Sequence, residues 1–286
     1  MKNRLDWSGF VRVDGVPHHV TVEGTGPVCV LSAGLALAWF DWDPVMPLLT
    51  PHRTVVRFDR PGHGLSARAR TAPTAEGEAR RIAAVLDALP GTAARPVTVV
   101  GHSLAGFHAE AFARLYPGRA AGLVLVDASV EEHARVPGAR GARTAAARAL
   151  EAALGGVGAP VVLGPSARRV MVRLGRARHA PDPAPRALVR RCYRTRRVLG
   201  GALSENTHYR AVAAGLLALR TACPLPPGLP VTVLAAPGRP DGTDAWTVRQ
   251  RALADRLGAR FGAVRESGHL MMLDRPDAVA EAVLAT

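Results

Sequence analysis

The sequence predicts an α/β protein, with a mostly parallel, twisted sheet, helices on both faces, and a helical insertion in its later half. Three observations carry this reading. Short β-branched runs alternate with helix-length amphipathic segments along most of the chain, as a parallel sheet with crossover helices requires. The stretch from Val97 to Gly106, Val-Thr-Val-Val-Gly-His-Ser-Leu-Ala-Gly, reads as a strand entering a sharp turn and then a helix. The alternation fails between Ser129 and Thr221, where alanine, arginine, glycine and proline dominate.

Taken in order, Phe10 to Val13 and His18 to Val22 alternate around Asp14-Gly15 and predict an N-terminal hairpin. Val28 to Leu31 is a buried strand. Asp43-Pro44 supplies a helix N-cap and first-turn proline for a short helix ending at Leu49. Trp39, Phe40 and Trp42 precede it and are expected to pack beneath the loop. Thr54 to Phe58 is a strand leading into Asp59-Arg60-Pro61-Gly62-His63-Gly64-Leu65-Ser66, and Thr74 to Leu89 is an amphipathic helix capped by its threonine. After the helix that follows Ser103, Pro117-Gly118 is a stop. Ala121 to Val126 is an all-apolar strand of the kind buried on both faces, and Asp127 stands at its end. Helical fragments follow at Arg143 to Leu154, Ser166 to Leu174, Arg186 to Val198 and Thr207 to Leu219. Pro230 to Ala235 and Phe261 to Val264 resume the sheet, with helices at Thr247 to Leu257 and Pro276 to Leu284. Residues 1–128 and 223–286 thus make one core, interrupted by an insertion over 129–222.

A chain of 286 residues with 48% hydrophobic composition has ample material for a buried core. Cys29, Cys192 and Cys223 are odd in number, far apart and lack metal-ligand spacing, which argues against a disulfide framework and for a reducing, cytoplasmic compartment. Met1 to Phe10 lacks the apolar run of a signal peptide, and Val28 to Phe40 is too short to span a bilayer. The net charge of +14 rests on arginine, Lys2 being the single lysine. No nucleic-acid motif accompanies that charge and aromatic interleaving is sparse, so a nucleic-acid partner is not expected.

The strand-turn-helix around Ser103 is the chemically suggestive feature, because a serine on such a turn projects its Oγ clear of the sheet. Gly101 and Ala105 flank it at the spacing of a Gly-x-Ser-x-Gly turn, with alanine in the second position. Ser267-Gly268-His269 follows a strand near the C-terminus. Cys29 to Leu31 runs into Ala33-Gly34-Leu35, a strand-to-loop junction able to offer a backbone N–H. With the Asp59 to Ser66 turn, these segments resemble the α/β-hydrolase superfamily, in the branch with a serine nucleophile and a helical lid between the sixth and seventh strands.

That resemblance implies a triad with Ser103 as nucleophile and His269 as base. Imidazole suits the second role because its ordinary pKa of about 6.5 lets it take a proton and return it. Relatives place the acid either after the sixth strand, which is Asp127 here, or after the seventh, where this chain offers Asp241 and then Asp244. Backbone amides of Leu35 and Leu104 are the oxyanion-hole candidates. Ala33 stands where many relatives carry histidine. His63 lies in a turn that is structural in the family, and His102 is expected to point away from Oγ.

The function expected is a cofactor-free, metal-free serine hydrolase acting on a small-molecule ester, thioester or amide through an acyl-enzyme. The alternatives are a lyase or acyltransferase on the same triad, or a catalytically silent binding protein. Between Ser129 and Ala222 stand 17 arginines against 5 acidic residues, an excess of +12 out of the whole chain's +14. Either that surface is merely solvated or the lid meets something anionic, such as an acidic carrier protein, a phosphate-bearing thioester or an acidic membrane.

Overall fold

The structure, a computed structural model, describes residues 5–93, 95–239 and 241–286. β1 (Leu5–Val13) and β2 (Val16–Gly24) form the N-terminal hairpin, longer than the alternation predicts, around Asp14 and Gly15 at φ of 50° and 73°. Positive φ at both central residues matches the twist of the two strands. β3 (Val28–Ser32) is buried throughout. A 3₁₀ segment, Trp39–Val45, then runs into α1 (Met46–Leu49). This corrects the N-cap expected at Asp43, which lies inside the 3₁₀ turn and pairs instead with Arg57 at 2.5 Å. Arg57 is buried in the next strand and needs counter-charges, which Asp43 and Glu23 supply.

β4 (Thr54–Phe58) and α2 (Ala75–Asp87) follow, Thr74 Oγ1 accepting from Gly77 N at 2.9 Å as the cap. β5 (Val97–His102), α3 (Ala105–Leu115) and β6 (Ala120–Val126) come next. Four helices then separate β6 from the remaining sheet: α4 (Arg140–Gly156), α5 (Ala159–Gly175), α6 (Arg186–Tyr193) and α7 (Arg196–Ala222). The chain closes with β7 (Val231–Ala235), α8 (Ala245–Leu257), β8 (Arg260–Ala263), α9 (Met271–Asp274) and α10 (Pro276–Leu284).

Several helix boundaries differ from the sequence reading: α5 begins at Ala159 and not at Ser166, and α4 spans Arg140–Gly156 and not Arg143 to Leu154. The fragment expected over Arg186–Val198 breaks after Tyr193, where Thr195 caps a new helix by accepting from Val198 N. That helix then runs unbroken to Ala222, although Gly200-Gly201, Ser204 and Asn206 are poor helix formers. Close packing overrides propensity there: a Cβ on Gly201 would sit 2.9 Å from the Gly62 carbonyl carbon, so only glycine lets α7 cross that turn.

The eight strands lie in the order β1-β2-β4-β3-β5-β6-β7-β8, with β2 alone running against the rest. From β3 the chain goes first to one neighbour, β4, and then to the other, β5, which makes the C-terminal ends of β3 and β5 a topological switch point. Crevices for ligands form at such points in open α/β sheets. Side chains alternate across the sheet. Val97 and Val99 face Ile82, Phe112, Leu216 and Leu253, while Val100 and Val124 face Trp42, Leu49, Met272 and Val279. A smaller cluster of Trp39, Phe40, Val189, Tyr193 and Val198 joins the insertion to the loop after β3.

Candidate active site

Ser103 follows β5 at φ 53°, the sparsely populated left-handed region for a residue with a Cβ. Its backbone is held there from three directions. Its N–H donates to Val126 O at 3.2 Å, and its carbonyl accepts from Gly106 N at 2.9 Å and Ser129 N at 3.0 Å. A Cβ at Gly101 would lie 2.4 Å from Ala105 O, so the turn requires glycine before the serine, whereas the methyl of Ala105 is accommodated and fully buried.

His269 and Asp127 complete a hydrogen-bonded chain with this serine. His269 Nε2 accepts from Ser103 Oγ at 3.0 Å, and its Nδ1–H donates to Asp127 Oδ2 at 2.6 Å. Asp127 is 2% exposed and also has a positive φ, 43°. Its other oxygen accepts from Ala236 N at 2.9 Å and from the Trp246 indole N–H at 2.7 Å. Three donors therefore fix the carboxylate in place. The His269 side chain is 40% exposed, so the chain runs from a buried acid to a surface where a substrate can arrive.

The other candidate acids lie elsewhere. Asp241 sits in an exposed turn accepting from Thr243 N and Oγ1, bonds that lower its pKa. Asp244 caps α8, and its bonds to Thr247 hold its carboxyl down at about 2. His102 lies beside the serine but faces away, its Nε2–H donating to the His269 carbonyl at 2.8 Å. Burial pushes its pKa well below the ordinary imidazole range and the neighbouring His269 adds to the fall, so it is a neutral brace. His63 is buried with its Nε2 3.4 Å from Glu205. Cys29 and Cys192 are buried thiols pushed up to about 12 by desolvation. Among the described residues no cluster of three or more His, Cys, Asp or Glu could hold a metal ion.

The loop after β3 approaches the elbow because Ser32 and Gly101 are paired in register. An atom at the Cβ position of Gly34 would stand 2.9 Å from Ser103 Cβ. Arg60 fixes the loop's orientation: its guanidinium donates to Ala33 O and, at 2.8 Å, to Gly34 O. In a trans peptide the N–H lies opposite the carbonyl, so turning Gly34 O toward Arg60 turns the Leu35 N–H away from it. Neither the Leu35 nor the Leu104 amide has a hydrogen-bond partner among the described residues. Leu104 N also lies at the start of α3, where backbone amides are free to receive negative charge. Arg60 is anchored in turn by Glu205 of α7, with contacts of 2.6 and 2.9 Å. Burial opposes the charge on Glu205, but Arg60 and then His63 outweigh it and hold its pKa at about 2. Sequence reasoning noted Arg60 only as part of a turn and missed Glu205 and Trp246, whose partners are more than a hundred residues away.

A cavity of about 390 Å³ opens between the insertion and this loop, walled by Ala36, Leu154, Pro160, Leu163, Met171 and Tyr193 among others. Ala36, next to the Leu35 amide, forms part of its wall, and Tyr193 OH donates to Ala36 O at 2.7 Å.

The chain belongs to the alpha/beta hydrolase family, whose profile matches residues 25–282. It is 36% identical over 108 residues to the pimeloyl-[acyl-carrier protein] methyl ester esterase of Methylococcus capsulatus, a stretch covering 37% of this chain and 39% of that protein. Over 110 residues it is 36% identical to the 2-hydroxy-6-oxo-2,4-heptadienoate hydrolase of Pseudomonas putida, covering 38% of this chain and 36% of the other. The match thus spans under two-fifths of each curated relative. In structure it resembles the enol-lactonase of Burkholderia xenovorans LB400, with a TM-score of 0.65, 22% identity, and coverage of 97% of this chain and 98% of that one. The profile match and the shared fold place the chain in this hydrolase-type family, and both curated relatives carry hydrolytic names.

Proposed function

We propose that the protein is a serine hydrolase that cleaves a carboxylic ester, thioester or amide through an acyl-enzyme, with Ser103, His269 and Asp127 as its triad. The observation that carries the reading is the continuous hydrogen-bonded chain from Ser103 Oγ through His269 to Asp127. Ser103 Oγ attacks the substrate's carbonyl carbon as His269 Nε2 takes its proton. Asp127 stabilises the imidazolium and holds the tautomer that leaves Nε2 free to accept. The Leu35 and Leu104 amides receive the oxyanion. His269 then protonates the leaving group, the acyl-enzyme remains on Oγ, and a water deprotonated by His269 releases the acid and regenerates the serine. In this reading residues 129–222 form the lid, and the apolar cavity beside Ala36 receives the acyl part of a small-molecule substrate. No step calls for a cofactor.

A fluorophosphonate probe tests the reading. The native protein should be labelled stoichiometrically, and Ser103→Ala should lose labelling with its thermal midpoint unchanged, because the change removes one oxygen. A panel of esters, thioesters and amides of graded chain length then sorts the substrate class. Labelling retained in Ser103→Ala would overturn the assignment.

A further inference from the structure

Four of the basic residues that distinguish the insertion are committed inward. Arg168 is buried against Asp41 and Asp182, Arg176 pairs with Asp274, Arg197 donates to carbonyls of the His63 to Ser66 turn, and Arg220 pairs with Glu110. The acidic residues between 133 and 222 are Glu151, Asp182 and Glu205, and each accepts from arginine. Between 133 and 222 the remaining exposed charge is therefore of one sign. Arg143, Arg148, Arg173, Arg190 and Arg191 stand in solvent without an acidic partner among the described residues.

The same region carries more than half of the exposed large apolar side chains among the described residues: seven of the thirteen fall between 150 and 174. From Ala152 to Ala167 no residue is charged. At the corner where α4 and α5 meet, bent by 106°, Val157 is 79% and Val162 73% exposed. Along α5 the exposed Leu163, Val170 and Leu174 share one helical stripe, with Arg169 and Arg173 one position behind the last two. Arg194 reaches the corner itself, its Nε donating to Val161 O at 3.2 Å.

We propose that this hairpin docks on an anionic lipid surface, with its aliphatic corner seated below the headgroups and its arginines among them. Exposed apolar surface rimmed by arginine, without acid, is what binds at a negatively charged bilayer face, and long arginine stems allow the head to stay at phosphate level while the corner sinks. The chemistry of the corner favours lipid over protein. Protein interfaces are enriched in aromatic residues and methionine, whereas Gly155 to Gly164 offers only Val, Leu, Ala, Pro and Gly. A second copy seated on this face would bring two arginine rims together. No single helix among the described residues is long and apolar enough to cross a membrane, so the contact is peripheral. Leu163 belongs both to the exposed stripe and to the wall of the apolar cavity, so the docked face and the cavity adjoin. The proposal does not depend on the catalytic reading.

The test is co-sedimentation of the full chain with vesicles of phosphatidylcholine alone and of equal parts phosphatidylcholine and phosphatidylglycerol. Binding should be at least about tenfold stronger on the anionic vesicles and should weaken as salt is added. The double variant Val162→Glu, Val170→Glu should lose at least about tenfold in binding with its thermal midpoint and probe labelling retained, since both side chains stand in solvent. Arg169→Glu, Arg173→Glu, tested separately, should weaken binding to the anionic vesicles alone. The proposal is overturned by absence of binding to anionic vesicles or by equal binding of the Val162→Glu, Val170→Glu variant. It is likewise overturned by a dimer that this variant dissociates, or by binding to an acidic carrier protein in place of vesicles.

Discussion

At the end of β5, three backbone hydrogen bonds and one imidazole converge on a single serine. At the corner between α4 and α5, Val157 and Val162 stand largely in solvent, and Arg194 touches a backbone carbonyl there. The two regions use polar groups for opposite ends. Around Ser103 and Asp127, backbone and side-chain hydrogen bonds converge on both residues, so that strained φ values survive. In the insertion, buried Arg168 and Arg220 meet carboxylates, while the corner and the α5 stripe are left apolar or positively charged. Position is set at the first region by convergence; at the second, surface character is set by leaving charges without counterparts.

The largest effect expected from disturbing this contrast is on the matched side. Asp127→Asn keeps the size of the side chain but lets an amide face the imidazole, and it should slow probe labelling by at least about a thousandfold. Asp241→Asn, in its exposed turn, should leave the rate within about threefold. If the order reversed, the turn at Asp241 would have to fold back on His269. Next comes the seam between the regions. Arg168→Met leaves Asp41 buried without its main counter-charge and should cost about 3–5 kcal/mol in urea unfolding. Adding Asp41→Leu should recover much of that, and failure to recover would mean that Asp41 acts mainly through the Ala38 amide it accepts from.

The Arg60–Glu205 pair allows a test by pH. The folded pKa of Glu205 is about 2 against an ordinary value of 4.5, so its stabilising contribution is complete above the ordinary value and is lost as pH falls toward the folded one. The unfolding free energy separating the native protein from Glu205→Gln should accordingly be larger at about pH 7 than at about pH 3. A difference that stayed constant with pH would show that the variant loses stability through packing and not through charge. The smallest effect concerns Trp246. Trp246→Phe removes one of the two donors to Asp127 Oδ1 but spares Ala236 N, and labelling should slow by about tenfold or less.

Much of this was legible in the sequence where the signal is local. β4 and α10 fall on the expected residues because β-branched runs and a first-turn proline announce them, and Ser103 stands out because glycine, serine and a following helix are neighbours in the chain. In one dimension three aspartates are candidates for the partner of His269, since the strand ends that position Asp127 and Asp241 look alike; only Asp127 meets His269 in space. Arg60 and Glu205 are 145 residues apart, and neither has a neighbour that hints at the other. The unbroken α7 was hidden for a similar reason, because the partner that favours Gly201 is Gly62 in a distant turn.

That helix also imposes a rule on how the chain can vary in length. Along its 27 residues α7 meets Glu151 through Arg196, Arg60, which anchors the loop after β3, through Glu205, and Glu110 of α3 through Arg220. These contacts depend on angular phase as well as on distance. One residue added between Glu205 and Arg220 would rotate one anchor by about 100° relative to the other, so that either Arg60 or Glu110 loses its partner. The corner between α4 and α5 has no such phase to keep. Insertions and deletions should therefore accumulate at that corner and be excluded from the interval between 205 and 220, making α7 the molecule's ruler.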